Sequence, residues 1–188
     1  MPSTILGIIA SSGGAASTSS YESIASATGT GSSNTITFSS IPSTYKHLQI
    51  RSIARDTNTN NDFSSIRIRL NSDTGTNYVR HLLAGDGTTV TATGATAQSS
   101  MIANGAARQN GSTANIMGVS IIDFIDYAST TKNKTMKAIS GNDVNGSGFI
   151  RLNSGLWLNT NAVTTIELLT DAGFWTTAST FALYGIKG

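Results

Sequence analysis

Hydrophobic and polar positions alternate with a period of two through most of this chain, the pattern of strands with one buried and one solvated face. The cleanest case is residues 65–70, SIRIRL, where Ile66, Ile68 and Leu70 face one way and Arg67 and Arg69 the other. Residues 46–54 repeat it, with Leu48, Ile50 and Ser52 set against Gln49, Arg51 and Ile53, and residues 34–38 put Ile36 and Phe38 on one face. Further strand segments are read at 78–84, 134–140, 149–157, 162–169 and 179–187, with a short first strand at 21–25. Residues 115–127, NIMGVSIIDFIDY, are the most apolar stretch and are expected to form a central strand. Two segments stay open: 88–97 as a ribbon or a long loop, and 101–107 as a strand or a helical turn.

Turn chemistry separates these segments. Pro42 is the only proline after Pro2. It fixes φ and removes a donor, so a central strand does not run through it, and it marks a corner between one strand and the next. Residues 56–62 (DTNTNND) and 71–77 (NSDTGTN) are dense in side chains that bond their own backbone, and Gly85-Asp86-Gly87 and 141–148 (GNDVNGSG) are tight turns. Strands recur every ten to fifteen residues with no helical period among them. The expected fold is therefore all-β, an antiparallel β-sandwich of jelly-roll type.

The first part of the chain differs. Residues 11–20 are wholly small, and Ile5, Leu6, Ile8 and Ile9 form a lone apolar patch before them. Such a segment buries too little apolar area to offset its ordering entropy by itself. The expected organisation is an extended N-terminal arm over 1–18, ordered only against another chain, and a single sandwich domain over 19–188.

Composition narrows the function more than it names it. Net charge is +2 with 12% charged residues, and no Lys/Arg cluster marks a nucleic-acid surface. Against that stand 26 Ser, 27 Thr and 15 Asn, a polar and uncharged surface suited to lying against neighbours. The absence of cysteine excludes disulfides and cysteine-based zinc sites. No apolar run approaches the roughly 20 residues that span a bilayer, and the stretch at 1–10 has no basic flank, so neither a membrane span nor a signal peptide is expected. The Asn110, Asn133 and Asn145 sequons then read as chance matches.

A search for chemistry returns little. His47 and His81 lie in separate strands without metal-binding spacing. Asp123 and Asp126, three apart on one strand, fall on opposite faces rather than forming an acid/base pair. Asp143 and Asn145 lack the bidentate acidic ligand of a calcium loop. Arg67, Arg69 and Arg80 read as a solvated sheet face, with an anion or carbohydrate groove as the competing reading. Trp157, Phe174, Trp175, Phe181 and Tyr184 crowd the last third. Core packing explains such a cluster; the competing reading makes Trp157 or Trp175 an interface anchor. No catalytic residue, cofactor or metal is expected.

Three passages carry a resemblance. Residues 41–45 read IPSTY, residues 69–78 read RLNSDTGTNY, and residues 181–186 read FALYGI. In this order, with the sequence around them from about residue 19 to the end, they resemble a group of small tailed-bacteriophage virion proteins. The resemblance implies a non-enzymatic particle component, met as a capsid decoration (cement) protein or in tail and fibre positions. The expectation is a decoration protein, a homotrimer on the capsid surface of the virion, made in the host cytoplasm, that binds and stabilises the shell of major capsid protein. Neither nucleic acid nor membrane is an expected partner. Ile5, Leu6, Ile8 and Ile9 of the arm, with Trp157 and Trp175, are the candidate interaction residues. The alternative is a tail or head-fibre protein recognising a host glycan beside an exposed tryptophan or the Arg67/Arg69 face.

Overall fold

A computed structural model of the chain describes residues 19–59, 63–108 and 114–188. Every regular element among them is a strand, and the fold is an all-β sandwich as expected. The strands are β1 (Tyr21–Thr28), β2 (Thr35–Phe38), β3 (His47–Asp56), β4 (Phe63–Leu70), β5 (Tyr78–Gly85) and β6 (Val90–Gln98), followed by β7 (Met101–Arg108), β8 (Gly118–Ile125), β9 (Lys134–Asp143), β10 (Gly148–Trp157), β11 (Ile166–Thr170) and β12 (Thr180–Ile186). The two open segments resolve as strands: 90–98 pairs with β5 as β6, and 101–108 is β7, paired with β4. The arm residues Ile5, Leu6, Ile8 and Ile9 lie outside the described residues.

A large sheet runs β1-β12-β3-β8-β9-β10-β5-β6, and a small one runs β2-β11-β4-β7. Neighbours are antiparallel except where the ends of β3 and β7 pair in parallel, at Arg55↔Ala107 and Asp56↔Arg108, which ties the two sheets together. The alternation written in the sequence decides which side chains meet between the layers. Ile66, Ile68 and Leu70 of β4, Leu48 and Ile50 of β3 and Ile122 of β8 are all 0% exposed. Burying side chains of this size contributes about 1.5–3 kcal/mol each. Phe124, Phe181, Leu183, Met101 and Met136 fill the rest of the layer.

Toward one end the interior turns polar. Ser52, Ser120 and Ser140 form one cross-strand row on the inner face, and β7 lies directly over it. A Cβ added at Gly105 of β7 would sit 2.6 Å from both Ser120 Oγ and Ser140 Cβ. Small side chains on one sheet and a glycine on the other are what let β7 come this close.

The three passages that carry the resemblance are structural fixtures. At the Pro42 corner, Ile41 N–H donates to Thr164 O (3.0 Å) and the Tyr127 hydroxyl donates to the Pro42 carbonyl. The Tyr45 ring lies against Gly185, where a Cβ would stand 2.3 Å from the ring. Thus IPSTY and FALYGI are two halves of one contact. In the 69–78 passage, Asn71 Oδ1 accepts from Thr164 N (2.9 Å) and Thr165 N (3.1 Å). Asp73 Oδ2 accepts from Trp157 Nε1 (2.7 Å), and the Tyr78 hydroxyl accepts from Leu70 N (3.1 Å). Replacing Gly185 with Ala is expected to destabilise the fold by about 1–3 kcal/mol in urea unfolding, because the Tyr45 ring must move. Gly85→Ala, with nothing within 4 Å of the added methyl, should stay within about 0.5 kcal/mol.

Candidate interaction surfaces

The ionisable candidates are dispersed by the fold. His47 on β3 and His81 on β5 are separated by β8, β9 and β10. His47 Nδ1 accepts the Asp126 backbone N–H (3.1 Å). Asp123 accepts from Gln49 Nε2 (2.8 Å) and lies 3.8 Å from Lys137 Nζ. Asp126 pairs with Lys132 (2.6 Å) and Lys46 (2.8 Å) instead. The two lysines, Lys132 foremost, pull the Asp126 carboxyl down to about 2. Asp143 ends β9, and Val144 N–H donates to Ser147 O (2.8 Å) to close a plain turn. Among the described residues no group of three or more His, Cys, Asp and Glu is placed to hold a metal ion.

The tryptophans correct one expectation. Trp157 is 1% exposed and Trp175 is 0% exposed, so neither is an exposed interface anchor. Both are core residues with satisfied indoles: Trp157 donates to Asp73, and Trp175 Nε1 donates to Leu168 O (3.1 Å). Trp157 stacks on Tyr78, and Trp175 meets Phe181 edge to face at 5.1 Å. Their size made them prominent in the sequence, and the same size draws them into the core.

The surface that does stand out is the outer face of the large sheet. Successive strands keep such exact register that its outward side chains form straight rows. One row runs Arg51, Ile121, Ile139, Leu152, Leu83 and Ala92 across β3, β8, β9, β10, β5 and β6. The next runs Ile53, Val119, Gly141, Ile150, Gly85 and Val90 across the same strands. The eight large aliphatic residues in these rows are 42–76% exposed. Together they present roughly 700 Å² of apolar surface, above the roughly 300–600 Å² of the largest patch on a typical monomer. Six strands make the face about 24 Å wide.

Two details shape it. Gly141 and Gly85 lack side chains within the second row, and shallow hollows of about 530 and 320 Å³ open beside them. A third row, Gln49, Asp123, Lys137, Ser154 and His81, borders the patch with polar groups. Arg51 closes one end, its Nε donating to Gln49 Oε1 (2.9 Å) and its guanidinium over the rings of Tyr21 and Tyr184. Sequence reading missed this face. Its signal was present in β8, which is apolar at both parities: Val119 and Ile121 as well as Ile122 and Phe124. A strand buried on one side only has no need of that.

The three arginines raised by the sequence fare differently. Arg67 pairs with Asp171 (2.5 Å), Arg69 Nε donates to Ser99 O (3.3 Å), and Arg80 has no hydrogen-bonding or ionic partner among the described residues. Comparison with protein-family models, with curated proteins and with solved structures finds no match.

The Asp126 cluster makes a pH prediction. Its folded pKa lies below the unfolded value near 3.9, so its contribution to stability is complete above about pH 4 and is lost as pH falls toward 2. The carboxyl carbon of Asp126 should titrate near 2 by NMR at low salt and move up toward the ordinary range in Lys132→Gln. A wild-type midpoint near 4 would mean the lysines do not hold it.

Proposed function

We propose that this chain is a non-enzymatic structural protein of a bacteriophage particle, a capsid decoration protein that docks on the major capsid protein shell through the outer face of its large sheet. The observation that carries the reading is the pair of aligned aliphatic rows. An apolar patch of this extent marks a surface that is covered in the working state. Its area is close to the roughly 800 Å² per partner of a standard protein interface. Apart from Arg51 at one end the two rows bear no charge, so the complementary surface is apolar and neutral, unlike nucleic acid or an anionic membrane. The hollows beside Gly141 and Gly85 receive side chains projecting from the shell.

The energetics suit a clamp. Roughly 700 Å² of apolar area at about 25 cal/mol per Å² is a gross gain near 17 kcal/mol, most of which association and ordering consume. What remains is modest for one copy. A homotrimer multiplies it into avidity, since each further contact forms without a new loss of translational freedom. The arm, residues 1–18, supplies a second contact by adding a strand or an apolar segment to a neighbouring subunit. The resemblance in the 41–45, 69–78 and 181–186 passages supports the particle context.

Ile139→Lys and Leu152→Lys together place two charges in the middle of the first row without touching the core. The variant should fold with an unchanged circular-dichroism spectrum and lose at least tenfold in occupancy of purified particles. Full occupancy would overturn the docking face. A soluble dimer that the same substitutions dissolve would make this face a self-interface instead. Deleting residues 2–18 should lower occupancy and particle heat stability; a truncated protein that still binds and stabilises fully would remove the arm from the mechanism. The alternative, a tail or head-fibre protein that reads a host glycan, is favoured by one observation, the unpaired Arg80. Placement of the protein on head or tail by immunogold labelling separates the two readings.

A further inference from the structure

A cleft of about 440 Å³ opens where β4 and β7 of the small sheet face β5, β6 and β10 of the large one. Its charged groups are unusual. Arg80 is partly buried and has no ionic or hydrogen-bonding partner among the described residues. The carboxylate whose charge acts on Arg80, Asp171, is already engaged, accepting from Arg67 Nε (2.5 Å) and from the Ser65 backbone N–H (3.0 Å). Burial lowers the Arg80 pKa most, the Arg67 charge lowers it further, and Asp171 offsets part of this from beyond ion-pair distance. Arg151 lines the same cleft. Its guanidinium lies 3.9 Å from the ring centres of both Phe63 and Phe149, and its Nε is buried with no hydrogen-bond partner among the described residues. Buried or half-buried charges are ordinarily paired, because an unpaired one forfeits hydration without compensation.

The floor adds donors rather than acceptors. Asn104 Oδ1 is taken by the Ser65 hydroxyl (2.5 Å), and Asn153 Oδ1 accepts the Asn104 backbone N–H (3.5 Å). Each asparagine carbonyl accepts from the protein, and neither amide N–H₂ has an acceptor among the described residues. A recess with two spare guanidinium groups and two spare amides selects an anion, and planar guanidinium favours a carboxylate. The volume is several times what one carboxylate fills. The remaining wall, with the hydroxyls of Ser65 and Thr93 and the apolar edges of Leu82 and Ile102, suits a ring bearing both hydroxyl groups and C–H faces.

We propose that this cleft binds a carboxylate-bearing sugar residue, a uronic acid unit of an acidic glycan, with Arg80 and Arg151 facing the carboxylate and Asn104 and Asn153 donating to it or to the adjacent hydroxyls. None of these residues belongs to the two aliphatic rows, so the site stands or falls separately from the docking face.

The full chain is titrated with glucuronate, glucose, acetate and sulfate, followed by NMR shifts of backbone amides. Glucuronate should perturb β5, β7 and β10 at concentrations at least tenfold below those needed for glucose or acetate. Arg80→Gln should weaken it at least tenfold while leaving the unfolding midpoint near wild type; Asn104→Asp, which puts a negative charge on the floor, should weaken it similarly. Equal binding of acetate or sulfate would reduce the cleft to a plain anion site and overturn the sugar. Absence of any glucuronate response at tens of millimolar, or binding unaltered in Arg80→Gln, would overturn the proposal altogether.

Discussion

The fold depends on β3 having neighbours on every side. It pairs along its length with β12 on one edge and β8 on the other, and its last residues pair with β7 of the opposite sheet. Its inner face lays Leu48 and Ile50 into the core, and its outer face begins both aliphatic rows with Arg51 and Ile53. A ten-residue strand placed this way cannot slip by one residue, because a slip would carry Leu48 and Ile50 outward and Arg51 inward. That constraint sets the register of β8, and through β8 the register of β9, β10, β5 and β6. The straightness of the exposed rows is therefore a by-product of core packing at the other side of the sheet.

The two surfaces on which the proposals rest are consequences of the same arrangement. The large sheet has more strands than the small sheet can cover, eight against four. Where the small sheet ends at β7, strands β10, β5 and β6 continue past it, and the arginine-lined cleft forms in the gap. On the far face no second layer exists among the described residues, and the aliphatic side chains there face solvent. One surface is apolar and asks for a neutral partner. The other is cationic and asks for an anion. On the proposed reading, the protein holds to a particle by the first and is free to present the second.

Much of the fold was legible in the alternation. Ile66, Ile68 and Leu70 turned inward as a set, and so did Leu48, Ile50 and Ser52, because strand geometry leaves no other choice once one face is buried. The Pro42 corner and the Asx-rich turn at 71–77 fell where their chemistry put them. Residues 88–97 stayed open because Thr, Ala and Gly there carry no hydrophobic contrast, and the strand is specified by its hairpin with β5 rather than by its own pattern. Residues 101–107 stayed open because Gly105 serves a close approach to the serine row, which no local signal reports.

The candidate sites divide along a similar line. The sequence by itself determined that the two histidines do not form a metal-binding pair along the chain and that the chain is built from half-buried strands. Those follow from period and spacing, which are local. Asp126, by contrast, lies past the end of β8 in a turn and not on the strand the alternation assigned it. Only the tertiary structure decided that Trp157 and Trp175 lie inside, that eight aliphatic residues from six strands share one outer face, and that Arg80 and Arg151, 71 positions apart in sequence, line one cleft. Each of these depends on cross-strand register and on where one sheet stops covering the other. Register is a relation between segments far apart in the chain, set by the core they share, and no single segment contains it.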